Sequence, residues 1–501
     1  MFKRVIKKII IIAFILITVV SFSQPGKTAL DISGTLQTNL IWEEESEQLL
    51  DEEIFILEIR RRFGFNADFL VDLQFNSYRS GKALVPDEKG DLKIIELPQA
   101  ERETESEISE AYVNYYTDNI DWRLGRQVIN WGSAFNLQPT NYFNPYDLRF
   151  LNSFEEKKGI QAVKGTYYSE NNIEATGVIT PFFDAHLMKE VNQIEQMNEF
   201  KDRVADNMLE NVNQVNYNIS ELNMVLEQNM LPYQIEEIQT EQTQMKQKWI
   251  TEDMETVADD LSNMQGGIQL LRRRAGNFDF AVSGYHGRDK IPAVNETAIE
   301  GELGAELQTY EQYLQEIQHK LETGEDPGEE ISQLNSLISE IDEEVNIEPL
   351  LVYPEVNRIG FDLIGDLTEV GVWVEMSYSF YKDDQFNNRL EVAAGLDRNL
   401  DNDIYLMGQF YHQQNRQDGE NDVNLVTVYL DRPVGDFHQM EVTAMYELAS
   451  DTYLFEPRFN YSLADSTVWK TGLTLSESGE QTGLFGSLAE KRVFTGVQVD
   501  F

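Results

Sequence analysis

Apolar and polar residues alternate with period two through most of the chain. Val370, Val372, Val374, Met376, Tyr378 and Phe380 interleave with Gly371, Trp373, Glu375, Ser377 and Ser379. Leu390, Val392, Ala394 and Leu396 interleave with Arg389, Glu391, Gly395 and Asp397, and the same pattern recurs around Tyr453–Tyr461. This alternation predicts strands with one apolar face. The stretches run to about ten residues or more, the length of a membrane-crossing strand, where soluble strands average about five or six. Aromatic residues stand near their ends, at Trp42, Tyr381, Trp469 and Phe494, where a barrel carries its interfacial girdles.

The spacing predicts about 16–18 strands, so the expected fold is an all-β membrane protein, an antiparallel transmembrane β-barrel. Its connections alternate. Those after even-numbered strands are tight, as at 66–68, 117–119, 275–277 and 365–366, whereas those after odd-numbered strands include 80–106, 131–156, 184–264 and 292–352. Short turns on one side and long loops on the other is barrel asymmetry, and a soluble sandwich has no reason to keep it.

Ahead of the first strand, Lys3, Arg4, Lys7 and Lys8 precede an apolar run from Ile9 to Val20 and small residues at Ser21 and Ser23. This reads as a secretory signal over 1–23, leaving 24–501 as the barrel. Acidic residues outnumber Lys and Arg by 87 to 40, a formal net charge of −47, which excludes nucleic acid as a partner and fits a halophile's hydrated surface. The chain has no cysteine, so disulfides and thiolate chemistry are absent.

Two insertions change period. Leu187, Val191, Ile194, Met197 and their successors recur at three and four residues, predicting a helical, coiled-coil-like insertion over 184–264. A second, strongly acidic helical pair is expected over 292–352, broken at Pro327-Gly328. Both follow odd strands and are expected outside the cell. They could serve a surface partner or polymer, or a homo-oligomer.

The connection after the fifth strand is richest in special residues. "GRQVINWG…NPYD" sets Gly125, Arg126, Gln127, Trp131, Gly132, Asn144, Pro145 and Asp147 in a pattern that resembles one in porin-like bacterial outer-membrane barrel families, and the chain ends, as such barrels do, in an alternating strand closing on Phe501. The resemblance implies that the loop over 131–156 folds into the lumen and narrows it. Gly125, Gln127, Trp131, Gly132, Asn144 and Pro145 would then structure the loop. Arg60, Arg62, Arg126, Asp147, Arg149, Glu155, Glu156, Arg358, Arg389 and Arg458 would line the pore or its constriction, arginines facing loop acids across a transverse field.

Asp397, Asn399, Asp401 and Asp403 alternate as oxygen ligands for calcium can, without the glycine and distal Glu of a full loop, so a polar turn is the expectation and no metal or cofactor is assigned. Neither Gly-x-Ser-x-Gly nor His-Glu-x-x-His occurs, and no enzyme is expected. The function expected is a porin-like channel in the outer membrane, surrounded by lipid and passing small hydrophilic solutes or ions by passive diffusion. The alternative is a barrel that anchors the helical insertions as a surface-binding protein.

Overall fold

The computed structural model of the 501-residue chain describes residues 30–44, 48–86, 92–146, 157–186, 257–258, 261–294, 351–416, 422–477 and 491–501, with single positions at 312, 316, 319, 320, 323 and 333. The signal segment lies outside the described residues, as does almost all of both proposed helical insertions. The six isolated positions in the second insertion are helical.

Eighteen strands form one sheet. They are β1 (Asp31–Glu43), β2 (Gln48–Phe63), β3 (Ala67–Pro86), β4 (Leu92–Tyr116), β5 (Ile120–Gln127), β6 (Ile160–Tyr168), β7 (Ile173–Thr180), β8 (Gln265–Ala275) and β9 (Phe278–Arg288). After a two-residue ribbon that pairs Ala293–Val294 with Leu351–Val352 come β10 (Glu355–Leu367), β11 (Val370–Tyr381), β12 (Arg389–Leu400), β13 (Ile404–Gln413) and β14 (Val423–Val434). The last four are β15 (His438–Glu447), β16 (Thr452–Ala464), β17 (Thr467–Glu477) and β18 (Lys491–Asp500).

Each strand pairs antiparallel with its neighbours in sequence, and β18 pairs with β1, closing the ring. The seam ends on Phe501, whose backbone N–H donates to Gly34 O at 3.0 Å while Gly34 N–H donates to Phe501 O at 2.9 Å. Its ring stacks on Phe55. A closed ring leaves no unpaired edge along the bilayer, where an unmet backbone group would cost several kcal/mol.

The register separates two faces. Met376, Tyr378 and Phe380 of β11, Val426 and Val428 of β14, and Val493, Val497 and Val499 of β18 are exposed on the outer side. Residues between them, such as Trp373, Glu375, Ser377 and Ser379, are buried on the inner side. An apolar exterior around a partly polar interior is a membrane barrel, and the protein belongs to the bacterial outer membrane. The turns after even strands are tight, at 64–66, 117–119, 276–277, 368–369 and 401–403. Several carry left-handed residues, among them Gly64, Gly276, Thr368 and Asn402, as reversals over so few residues require.

Strand starts differ from expectation chiefly at β4, which begins at 92 rather than near 107. Its added part, residues 92–106, pairs with β3 and keeps no sustained alternation of apolar residues.

Candidate functional site inside the barrel

β5 stops after eight residues, and the chain leaves the wall inward. Gln127 turns its amide back on the wall, donating to Ala162 O at 2.9 Å. Asn144 ties the two roots together: it accepts Ile129 N–H at 2.7 Å and donates to Lys158 O at 2.7 Å. Both side chains are 0 % exposed. A segment outside any ladder must meet its backbone groups with side chains, and these two amides do so at its base.

The far part of the segment is held by wall strands a third of the way round the barrel. Glu375 on β11, 0 % exposed, accepts Ser133 N–H at 3.0 Å, Ala134 N–H at 2.9 Å, Thr140 N–H at 2.6 Å and Thr140 Oγ1–H at 2.7 Å. Ser133 Oγ bonds Asp362 on β10. Gln409 on β13 accepts Phe135 N–H at 2.8 Å, donates to Phe135 O at 2.7 Å, and accepts Trp373 Nε1–H at 2.8 Å. These partners stand on inner rows, so residues 128–146 lie within the barrel.

Gly132 follows from this clamp. Its φ is +90°, and a Cβ there would sit 2.4 Å from Glu375 Oε1. Only glycine allows both the conformation and the approach. Apolar contacts complete the attachment. Trp131, Tyr142 and Phe143 meet Tyr285 on β9, with Trp131 and Phe143 edge-to-face at 5.1 Å between ring centroids. Ala134 and Phe135 pack with Trp373, Met407, Tyr411 and Leu425. From β6 to β14 the covered inner wall thus meets the segment through both apolar contacts and the side chains of Glu375, Asp362 and Gln409.

Beside this attachment lies a buried ionic cluster. Asp289, just past β9, meets Arg358 (2.9 Å), Arg416 (2.7 Å) and Arg389 (3.3 Å) and accepts Tyr381 O–H at 2.6 Å. Burial pushes its carboxyl upward, but the three guanidinium groups prevail and hold it well below the usual carboxylate range. His186 also packs here, accepting Tyr146 N–H at Nδ1 at 2.8 Å. Burial, then the charge of Lys290, press its imidazole down to about 3. It stays neutral.

The predicted residues fall into distinct places. Gly125, Gln127, Trp131, Gly132, Asn144 and Pro145 all belong to the inward segment or its root. Asp147, Arg149, Glu155 and Glu156 lie outside the described residues. Arg358 and Arg389, at 7 % and 5 % exposed, are committed to Asp289 rather than turned to an open lumen. Arg126 falls in register on the row of Trp122 and Leu124, which are exposed on the outer face. Arg458 is on an inner row, paired with Glu456. Arg60 is on the inner row of β2, bound to Glu58 at 2.7 Å, and Arg62 lies two residues before the tight turn's Gly64, donating to Phe65 O at 3.5 Å.

Asp397 accepts Tyr405 O–H at 2.7 Å, and Asp401 to Asp403 form the β12–β13 turn. Among the described residues no three His, Cys, Asp or Glu gather as for a metal. Glu375, Asp362, Gln409 and Asp289 were not singled out in the sequence. The polar face of β11 was visible there, but its partners lie more than 200 residues away.

A family model described as a protein of unknown function (DUF1302) matches residues 74–449. No curated protein matches. Among solved structures, OccK10 (OpdN) of Pseudomonas aeruginosa is 6 % identical with a TM-score of 0.46, covering 94 % of this chain and 99 % of that one. OccK5 (OpdH) of the same organism is 7 % identical at 0.45, covering 94 % and 97 %. OprB of Pseudomonas putida is 8 % identical at 0.37, covering 94 % and 92 %. With TM-scores below 0.5, these likenesses add nothing to what the strands themselves show.

Proposed function

We propose that this chain, which belongs to the family described as protein of unknown function DUF1302, is a channel through which small hydrophilic solutes diffuse passively across the outer membrane. The observation that carries this reading is the division of the inner wall. From β6 to β14 residues 128–146 cover it, and polar groups such as Glu375, Asp362 and Gln409 are taken up by bonds to that segment. From β16 through β18 and β1 to β4 its inner rows carry groups such as Arg458, Lys470, Asn39, Glu58, Asp72 and Glu110. Charged groups inside a closed barrel are stable only against water or full pairing. An aqueous conduit beside the inward segment supplies that water.

The inward segment narrows this conduit. The uncovered wall is acidic. Glu58, Asp72 and Glu110 stand directly opposite one another across β2, β3 and β4, an arrangement that costs free energy unless cations or water attend it. The channel therefore favours cations over anions. Purified protein reconstituted in liposomes should admit small uncharged sugars and exclude larger ones, and should give discrete conductance steps in planar bilayers. A correctly folded barrel that admits neither sugars nor ions would leave only the anchoring role for the insertions.

A further inference from the structure

We infer that Glu375 is the positioning residue that holds the inward segment against the wall and so sets the aperture, an inference that rests on the channel reading for its second half. Glu447, at the end of β15, meets as many donors, but they come from Asn424, Ala449 and Ser450 around its own strand end; the donors that reach across from the inward segment go to Glu375. It is fully buried, it receives three backbone N–H groups and one hydroxyl, and those donors come from both limbs of the segment, 133–134 and 140. A carboxylate has lone pairs for four such donors and no proton to place among them. The fit therefore calls for a side chain with two acceptor oxygens.

The geometry shows why one side chain can do this. The segment is rooted at β5 and β6 by Asn144 and Gln127, so the root alone leaves its far limb free to swing. Glu375 lies six strands away from β5 and joins residues 133–134 and 140 of that limb to the wall. Asp362 and Gln409 flank it, one strand before and two strands after, and bond Ser133 and Phe135. Glu375 binds the most donors, and Gly132 has given up its side chain to let it in. Released, the limb would move toward the open polar sector or out of the mouth, and in either case the aperture would no longer be fixed.

The substitution to use is Glu375→Gln, nearly the same in shape but able to offer one oxygen and an amide that opposes the N–H donors. Two measurements separate the parts of the inference. Amide hydrogen exchange in the peptide covering 131–141 reports the holding directly, without any current. Expected is faster exchange in E375Q, by about tenfold or more, with gel mobility of a folded barrel unchanged. Single-channel conductance reports the aperture, and it should rise by about twofold with added open-channel noise.

The chain has no cysteine, so a tether can be added cleanly. Ser133→Cys with Asp362→Cys, bridged by a short bis-thiol reagent in the E375Q background, should return both conductance and noise toward the unsubstituted values. Unchanged exchange in E375Q would overturn the holding role. Faster exchange with unchanged conductance would overturn the aperture role. A silent but folded unsubstituted barrel would sink the channel reading and the aperture with it, while exchange would still decide whether Glu375 holds the segment.

Discussion

Asn144 shows how much of the interior depends on single polar side chains. It is fully buried and meets Ile129 N–H and Lys158 O with its two ends. Removing it leaves both backbone groups unmet, at about 1–3 kcal/mol each. Asn144→Ala should therefore lower the unfolding midpoint of the detergent-solubilised barrel, while Asn144→Asp, keeping the acceptor, should lower it less. His186 makes a second case, this one pH-dependent. Its folded value is pressed to about 3, below the ordinary 6.5. A base whose folded value is lowered contributes stability that is complete above its unfolded value and declines as pH falls toward the folded one. Asp289 stays ionised through that window, since its own value is lower than usual, so Lys290, Arg358 and Arg389 keep the surroundings hostile to an imidazolium. Protonation would break the bond to Tyr146 N–H. Channel noise should thus grow between about pH 6.5 and pH 4. His186→Gln, which keeps an acceptor and has no proton to gain, should flatten that dependence; an identical pH profile in the variant would remove His186 from the explanation.

Elements were legible wherever lipid lies on one side and water or polar contacts on the other, because that alone imposes period two. β11, β12 and β18 were plain from their alternating residues. The tight turns after even strands were plain too, because membrane strands must reverse quickly at one rim. The early part of β4 was not, since nothing in its sequence alternates where it pairs with β3 beyond the apolar rows. The porin-like pattern implies an inward Arg126, yet its register puts it on the row of Leu124, with Gly125, at φ +125°, between the two. Arg358 and Arg389 stand on the polar rows of their strands, but their burial comes from a loop aspartate and from the inward segment, neither of which a strand's own pattern encodes. Sequence showed a Trp-Gly and an Asn-Pro; it could not show Glu375, 243 residues beyond Gly132. The consequence is testable at the level of the loop. Deleting 133–140, with the roots at Asn144 and Gln127 left in place, should enlarge the sugar cut-off in liposome swelling, and an unchanged cut-off would place the narrowest point elsewhere.

For the whole molecule the deciding quantity is where charge lies, not how much of it there is. A formal charge of −47 counts every residue of the chain, but salt screens distant charges within about 10 Å at 0.1 M and about 3 Å at 1 M. Only groups that ions pass closely keep their influence in molar salt. On the uncovered wall these include the opposed carboxylates of Glu58, Asp72 and Glu110, with Arg60 partly exposed and bound to Glu58. Arg358 and Arg389 are sequestered with Asp289, so an ion in the lumen meets little of their charge. Two kinds of arginine substitution should therefore behave oppositely. Arg60→Gln removes a lumenal cation and frees Glu58, so the reversal potential under a salt gradient should move further toward cations, including in molar salt, with stability little changed because exposed pairs contribute at most about 1 kcal/mol. Arg358→Gln leaves Asp289 short of a buried partner, a loss of about 3–5 kcal/mol for such pairs, and should destabilise the barrel before it alters selectivity. If instead Arg358→Gln shifts the reversal potential in a barrel of undiminished stability, ions reach the cluster at Asp289, and the conduit runs along the wall that residues 128–146 cover.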